Sequence, residues 1–264
     1  MNVLVTGGNG YIARGIFPSL NLSHKVTVVT RKDFDLCDTR STLDWFDDKH
    51  FDVVIHTAAK GGSRLQEDDK ETYDLNLKMY YNLLACKDHF SKFISFGSGA
   101  ELFKLDTRYG MSKRIIADSM LCHDNFYNLR IFAVFDHNEI ETRFIRSCIR
   151  NYLNKEPIRI HQNKLFDFFH MDDLSNLVDY YVKGTGLRKT VNCSYEDKKS
   201  LLDIANMVND LSNHKVKIQI EESGFDFYCG EPNLPITNLV DLVGGINRTF
   251  DVINREYLHK GTLL

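Results

Sequence analysis

Cysteine is sparse and scattered: Cys37, Cys86, Cys122, Cys148, Cys193 and Cys229 form no Cys-x-x-Cys pair. That argues against a zinc site or a disulfide framework and predicts small buried hydrophobes instead. Long apolar runs are missing too, since none approaches the roughly 20 residues that span a bilayer. The N-terminus passes straight into a strand pattern with no signal-peptide hydrophobic region, so a cytoplasmic location is expected. Charge of one sign is in short supply, with a formal net charge of −3. A balanced surface attracts neither nucleic acid nor an anionic membrane, and neither is expected as a partner. There is no low-complexity segment and no repeat of fixed period.

What is present is enough for a large core: 264 residues, 43% of them hydrophobic. Such a chain makes one big α/β domain, or a nucleotide domain with a smaller appendage. Asn2 to Thr6 is a short apolar strand, followed by Gly7-Gly-Asn-Gly10-Tyr-Ile-Ala13 and then helical spacing. Strand, glycine turn and helix in that order bind pyrophosphate. Gly7 permits the tight turn, Gly10 lets backbone approach phosphate, and Ala13 lets the helix pack closely on the strand. Lys25 to Thr30 is the second strand, and after it come Arg31 and Lys32. A guanidinium there suits a 2′-phosphate, which predicts NADP(H). NAD(H) is the alternative, with Arg31 a solvated strand-end residue and Asp33 or Asp35 reaching the ribose.

Phe51 to His56 reads as a third strand leading into Thr57-Ala-Ala-Lys-Gly-Gly62, a small-residue loop that can lie against a flat cofactor. His56 is read as a packed strand-end histidine. One long helix is predicted from about Gln66 to Phe90, with apolar stripes at Leu75, Met79, Leu83 and Cys86 and at Leu77, Tyr81 and Leu84, interrupted by Asn76. A fourth strand covers Lys92 to Phe96, and a fifth Asn128 to Phe135. Strands alternating with helices predict an α/β fold with a doubly wound parallel sheet. Ligands then lie at the strand C-terminal ends, where Gly7, Arg31, Ala58 and Ser98 fall.

Two regions are expected: residues 1–135 as a dinucleotide-binding domain, and residues 136–264 as a smaller, mainly substrate-binding α/β portion. Segments near 167–194 are expected to return to the main sheet. In the second region the patterns predict a helix from Glu139 to Leu153, a short strand at Pro157 to His161 and an aromatic strand at Asp167 to Met171. Then come a helix from about Asp172, with Asp172 as its cap, a strand at Thr190 to Cys193 and a helix from Leu201 to about Leu211. A strand near Val216 to Ile220 and helices near Ile236 and Phe250 complete the pattern. His170, Asp172 and Asp173 are not read as a metal site, and no metal is expected.

The chemistry centres on Ser98 to Lys113. Tyr109 and Lys113 are four apart and share a helix face, and an ammonium beside a phenol lowers its pKa from about 10. Such a tyrosine exchanges a proton with an alcohol or ketone oxygen near neutral pH. Ser98, at the end of an apolar strand, would bring a hydroxyl to the same oxygen. Tyr195 and Lys199 repeat the spacing, but in a polar stretch with no nucleotide motif or strand-end serine suitably placed before it.

Taken together, Thr6-Gly-Gly-Asn-Gly-Tyr-Ile-Ala, His56-Thr-Ala-Ala, Asn76 within Asp-Leu-Asn-Leu, Ser98, Tyr109-Gly-Met-Ser-Lys113, Leu129-Arg-Ile-Phe and Asp167-Phe-Phe-His-Met-Asp-Asp-Leu174 resemble the extended short-chain dehydrogenase/reductases. These are the NAD(P)-dependent epimerase/dehydratase family, acting mostly on nucleotide sugars. The resemblance implies a Rossmann fold and a catalytic set of Ser98, Tyr109 and Lys113, with Tyr109 the general acid/base and Lys113 also holding the nicotinamide ribose. With it go Gly7, Gly10, Tyr11, Ile12, Arg31, Asp35, Leu36, Thr57, Ala58, Ala59, Lys60 and Asn76 as cofactor contacts. It also implies a homodimer through two helices per subunit, the long one and the one carrying Tyr109. Within the family, Thr-Ala-Ala-Lys-Gly-Gly and the Arg31 region look most like the GDP-fucose synthase group.

The departures sharpen the expectation. Members that epimerise at C3 and C5 have a cysteine two residues after the serine, where this chain has Ala100, and 4,6-dehydratases have Thr-Asp-Glu where it has Ser98-Gly99-Ala100. An alanine cannot move a proton from carbon, so neither chemistry is supported. Ala133-Val-Phe-Asp-His137 replaces the family's Asn-Val-Tyr-Gly-Pro, and Phe166 an arginine. The expected reaction is NADPH-dependent reduction of a 4-keto group on a sugar linked to a nucleoside diphosphate. Arg143, Arg146 and Arg159 are candidate diphosphate contacts. The alternatives are an NAD-dependent C4 epimerase and a non-catalytic dinucleotide-binding protein.

Overall fold

Interior strands of a parallel sheet are covered on both faces and therefore read as unbroken apolar runs. Val3-Leu-Val5, Val53-Val-Ile55 and Phe93-Ile94 are such runs, and all are buried. In the computed structural model, which describes residues 1–63 and 66–261, they lie in strands β1 (Asn2–Thr6), β3 (Phe51–His56) and β4 (Phe90–Ser98). Between and after them come α1 (Tyr11–Ser23), β2 (Lys25–Val29), α2 (Thr39–Phe46), α3 (Thr72–Ala85), the short α4 (Ala100–Phe103), α5 (Arg108–Met120) and β5 (Phe126–Ile131).

The chain then makes β6 (Val134–Phe135), α6 (Phe144–Leu153), β7 (Ile158–Phe166), β8 (Phe169–His170), α7 (Met171–Lys183) and β9 (Thr190–Cys193). It ends with α8 (Leu201–Asn209), β10 (Ile218–Tyr228) and α9 (Asp241–Gly261). Two compact units result, one of residues 1–131 with 175–192, the other of residues 132–174 with those from 193 onward.

The first unit is built on a six-stranded sheet in the order β2-β1-β3-β4-β5-β9. β1 is parallel to β2 and β3, and β4 to β3 and β5. This is a doubly wound Rossmann sheet: the chain steps one way from β1 to β2 and the other way to β3, leaving a crevice at the C-terminal ends of β1 and β3. On one face, Phe46, Tyr80, Leu83 and Phe93 lie in one apolar cluster with Phe34, Phe51, Phe90 and Phe126.

The sixth strand arrives by a return of the chain. His24 bonds Asp179 at 2.8 Å. The Lys92 ammonium donates to the carbonyls of Tyr181, Val182 and Gly184 at 2.7, 2.7 and 2.6 Å, closing the end of α7 where carbonyls have no helical partner. The second unit has its own parallel pairs, β7 with β10 and β6 with β8. Ile145, Ile149, Tyr152, Ile158, Ile160, Val208 and Phe250 are buried within it. Ser200 and Asp203 form a reciprocal capping box at the start of α8.

Several expected elements differ. The helix predicted from Gln66 begins only at Thr72 and ends at Ala85, because the carboxylates before it take backbone N–H groups of their own: Asp69 accepts from Glu71 N at 2.7 Å, and Asp68 from Gly62 N at 2.9 Å. A 3₁₀ turn follows, and Phe90 belongs to β4, paired with Phe51. The strand predicted from Asn128 to Phe135 is two strands, the second pairing with β8. The helix predicted from Glu139 starts at Phe144, after backbone bonds from Glu139 N to Asp136 O and from Arg143 N to Ile140 O. Asp172 is inside the first turn of α7 rather than its cap, and bonds Arg248 at 2.8 Å. No helix forms near Ile236, while the strand near Val216 is the longer β10. Of the cysteines, Cys86, Cys148 and Cys193 are buried, Cys37 and Cys229 half-buried, and Cys122 exposed. Residues 262–264, included in the expected second region, lie outside the described residues. No helix among the described residues is long and apolar enough to cross a membrane.

His56 is 4% exposed, and its Nδ1 meets Thr6 Oγ1 at 2.9 Å. Burial, helped by the Lys113 charge, pushes its pKa from 6.5 down to about 3. The folded protein thus refuses a proton that the unfolded chain takes up below 6.5. The contribution of a neutral His56 is whole above that pH and is lost as pH falls toward 3, at up to about 1.4 kcal/mol per pH unit. Urea unfolding between pH 7 and 4 should show a His56→Asn variant with a shallower fall in stability than wild type. Parallel pH dependences would contradict this.

Candidate active site

The glycine turn is shaped by a close approach of two strand ends. Gly7 has φ +75°, and a Cβ there would lie 2.7 Å from Ala58 N. Only glycine fits both the backbone angle and the space. Gly8 N bonds Val29 O at 2.9 Å, and Gly10 N bonds Gly7 O at 2.8 Å. Gly10 is the N-cap of α1, with no side-chain cap and no acidic residue in the first turn. Orphan N–H groups and the positive helix end are therefore left for an anion.

A cavity of about 680 Å³ opens beside this turn. Its walls include Gly7, Gly10, Arg31, Asp35, Leu36, Thr57, Ala58, Ala59 and Lys60 from the expected cofactor set, joined by Asn9, Val29, Thr30, Phe34, Cys37, Glu71, Leu75 and Met79. These residues fit a dinucleotide: small backbone at the turn for phosphate and an apolar floor for a base. Arg31 has no carboxylate within ion-pair distance among the described residues. Asp33 is held by Thr30 instead, accepting from its N–H at 2.7 Å and its hydroxyl at 3.0 Å. Those bonds hold the Asp33 carboxyl's pKa below its ordinary value. Asp35 accepts from Cys37 N at 3.0 Å.

Tyr11, Ile12 and Asn76, and likewise Tyr109 and Lys113, also expected to touch the cofactor, are not on the cavity wall. Tyr11 and Ile12 open α1. Asn76 is 2% exposed, and works from behind: it accepts from Lys60 N at 2.8 Å and donates to Lys60 O at 2.9 Å and to Ser112 Oγ at 3.0 Å. It fastens the Thr57 to Gly62 loop to α5. The Lys60 ammonium is paired with Asp69 at 2.6 Å and Glu71 at 3.6 Å.

That loop leads to the expected catalytic residues. Gly62 has φ +72°, and a Cβ there would lie 2.8 Å from the Tyr109 ring, so the loop backbone covers one ring face. Asp68 joins the two pieces, accepting from Gly62 N and Tyr109 N at 2.9 Å each. Nothing in its sequence position reveals this role. Thr107 caps α5, accepting from Gly110 N. Lys113, one turn beyond Tyr109, is 7% exposed, donates to Phe96 O at 2.7 Å and stands 5.7 Å from the Tyr109 ring centroid. Burial pushes its pKa from 10.5 down to about 8, against the opposing pull of Glu101. Ser98 ends β4, and its Oγ accepts from Ala100 N at 3.1 Å, which leaves the hydroxyl hydrogen to donate. Glu101, given no part by sequence reasoning, is completely buried and pairs with Arg130.

The second Tyr-x-x-x-Lys is a different structure. Residues 195–199 are not helical, and Tyr195 donates to the buried Asp173 at 2.5 Å. Burial and that carboxylate push its phenol far up. In the second unit, Arg159 is exposed and 3.9 Å from Glu221, Arg146 is 3.8 Å from Glu141, and Arg143 is the N-cap of α6. Among the described residues no cluster of three or more His, Cys, Asp or Glu is placed to hold a metal ion.

The sequence pattern of the NAD dependent epimerase/dehydratase family matches residues 3–193. The chain belongs to this family. No curated protein sequence matches it. Among solved structures, it is similar to a GDP-L-fucose synthetase from Naegleria fowleri at 16% identity and a TM-score of 0.75, over 97% of this chain and 94% of that one. It is also similar to a GDP-mannoheptose C4 reductase from Campylobacter jejuni with NADP bound, at 15% identity and 0.76, over 96% and 98%. A third is a UDP-glucose 4-epimerase from Thermotoga maritima with UDP-glucose, at 15% identity and 0.80, over 97% and 100%. At such identities the likeness is one of fold.

Gly110, between the family's tyrosine and lysine, marks how tightly α5 is seated. A Cβ there would lie 1.9 Å from the Lys104 carbonyl oxygen, on backbone that has no room to yield. A Gly110→Ala variant should lose roughly 1–3 kcal/mol of stability in urea unfolding. A change within experimental error would mean that α4 and α5 are packed more loosely than described.

Proposed function

We propose that this chain is an NADPH-dependent reductase of a 4-keto sugar linked to a nucleoside diphosphate. The observation that carries the reading is Lys113: a buried ammonium bonded to Phe96 on the strand that Ser98 ends and one helical turn from Tyr109, with Gly99 and Ala100, which move no proton, following Ser98. Such a set serves one reaction, proton exchange at an oxygen. When bound, the cofactor supplies the hydride that reduces the carbonyl carbon.

Tyr109 gives its hydroxyl proton to the carbonyl oxygen as the carbon accepts the hydride, and the resulting phenolate is reprotonated from solvent. Ser98 donates its remaining hydrogen to the same oxygen and fixes its position. Lys113, kept charged by the Phe96 carbonyl and Glu101, stabilises the phenolate electrostatically and so lowers the cost of proton release. Gly7, Gly10 and the start of α1 bind the pyrophosphate, and Ala58 and Ala59 pack against the dinucleotide. Arg31 takes the 2′-phosphate. Arg143 and Arg159 are candidates for the sugar nucleotide's diphosphate.

A Tyr109→Phe variant should lose roughly 10²- to 10⁴-fold in turnover on a nucleoside-diphosphate 4-keto sugar while binding NADPH as wild type does. Near-normal turnover would overturn the role of the phenol. Product formed without net NADPH consumption, by protein purified with bound NAD⁺, would make it an epimerase. Cofactor binding with no turnover across a panel of keto sugars would make it a binding protein.

Arg31→Ala should weaken NADPH binding by roughly ten- to a hundredfold, the worth of a charge-assisted bond, and leave NADH binding unchanged. Equal effects on both cofactors would count against a 2′-phosphate contact.

A further inference from the structure

Beneath the strand end that carries Ser98 lies a carboxylate that no water reaches. Glu101 is 0% exposed. Its Oε1 accepts from Asn128 Nδ2 at 3.0 Å and is in contact with the Arg130 guanidinium, and its Oε2 accepts from the Ser98 N–H at 3.3 Å. Arg130 continues to Asn192 Oδ1 at 2.7 Å, so the network runs from α4 under β4 to β5 and β9. The fit against the sheet is close. A Cβ at Gly97 would stand 2.8 Å from Glu101 Oε2 and 2.4 Å from Asn128 Oδ1.

We propose that Glu101 is a positioning residue for reduction at this site: anchored from β5 by Arg130 and Asn128, its one carboxylate fixes the Ser98 turn and sets the charge balance behind Lys113. The proposal rests on the reductase reading above. Stability alone does not account for the arrangement, because a buried ion pair generally contributes no more than apolar side chains of similar volume. Glu101 cannot itself exchange protons with a substrate, since it is sealed from solvent.

The charges around it set the sign of its effect. Burial pushes the Glu101 carboxyl up, while Arg130, the Ser98 N–H and Lys113 oppose that shift. Every hydrogen-bond partner named here donates to it, which is the environment of an ionised carboxylate. Arg114 on α5 also feels its charge. Lys113 is faced by Glu101 from α4, by buried neutral His56 from β3, by the Phe96 carbonyl from β4 and by Tyr109 on its own helix. Glu101 is thus the anion set against the burial of that ammonium.

Reduction needs the Tyr109 proton and a charged Lys113. Glu101→Gln removes an anion and leaves Arg130 unbalanced, so Lys113 should lose its proton at lower pH. The alkaline limb of kcat/KM should move down, with a rate about tenfold below wild type at pH 8 and a smaller deficit at pH 6. Arg130→Gln takes away the main support of the Glu101 charge, so the carboxyl takes up a proton and the limb should move down as well. The double variant should add little to either single variant. This shared movement of the limb is the test, and either single variant suffices if the other does not fold.

Equal losses at every pH in both variants, with the limb unmoved, would make the network merely structural and overturn the proposal. A readout without substrate separates this from the reductase reading: the ¹³Cε resonance of Lys113, assigned with a Lys113→Met variant, should titrate at lower pH in Glu101→Gln than in wild type. An unchanged titration overturns the proposal even in an active enzyme. If wild type reduces no keto sugar yet the lysine titration shifts, the reductase reading fails and the coupling stands.

Discussion

The closest constraint in the first unit is the distance between two strand ends. β1 and β3 are neighbours in the sheet, and where they finish, Gly7 and Ala58 approach so closely that a single methyl group would collide with backbone. From that contact the remaining positions follow in order. Thr57 bonds back to Thr6 O at 2.7 Å, Asn76 holds Lys60, and the same asparagine reaches Ser112 on the helix that carries Tyr109 and Lys113. The glycine turn at Gly7 and the phenol of Tyr109, more than 100 residues apart in sequence, are thus placed by one series of short polar contacts. A site on sheet ends and helix starts is held more firmly than one on free loops.

Behind this geometry lies an electrostatic balance. A lysine taken out of water loses hydration and drifts toward neutrality, as its fall to about 8 records. Two acceptors oppose the drift, a strand carbonyl and a sealed carboxylate. The sheet has to remain intact around a buried charge. Glu101 sets an anion against it, with Arg130 and Asn128 supplying the bonds that its own burial requires.

The sheet and the glycine turn were legible in the sequence because each depends on local chemistry. Interior parallel strands are apolar runs, a glycine turn between strand and helix has few other uses, and Tyr109 and Lys113 announce a shared face by their spacing. Family resemblance then joined these pieces, and the matched family agrees with it. Three features resisted. The start of α3 was hidden because Asp68 and Asp69 use their carboxylates on nearby N–H groups, which no apolar period reveals. Glu101 needed Arg130, 29 residues away, to make sense of it. The segment around Ile236 has the apolar content of a helix but stays irregular, with Asp173 of a distant helix taking the N–H groups of Val240 and Asp241.

The return of the chain through α7 and β9 bears on how the protein is made. A ribosome delivers β1 to β5 first, but the strand that completes the sheet follows only after residues 132–174 have emerged. Until then β5 has an unpaired edge, and the Lys92 ammonium lacks the helix-end carbonyls that receive it. Nascent domains generally fold as units. Here the earlier-synthesised unit has to wait for later chain, so its final locking is tied to vectorial synthesis through the neighbouring unit.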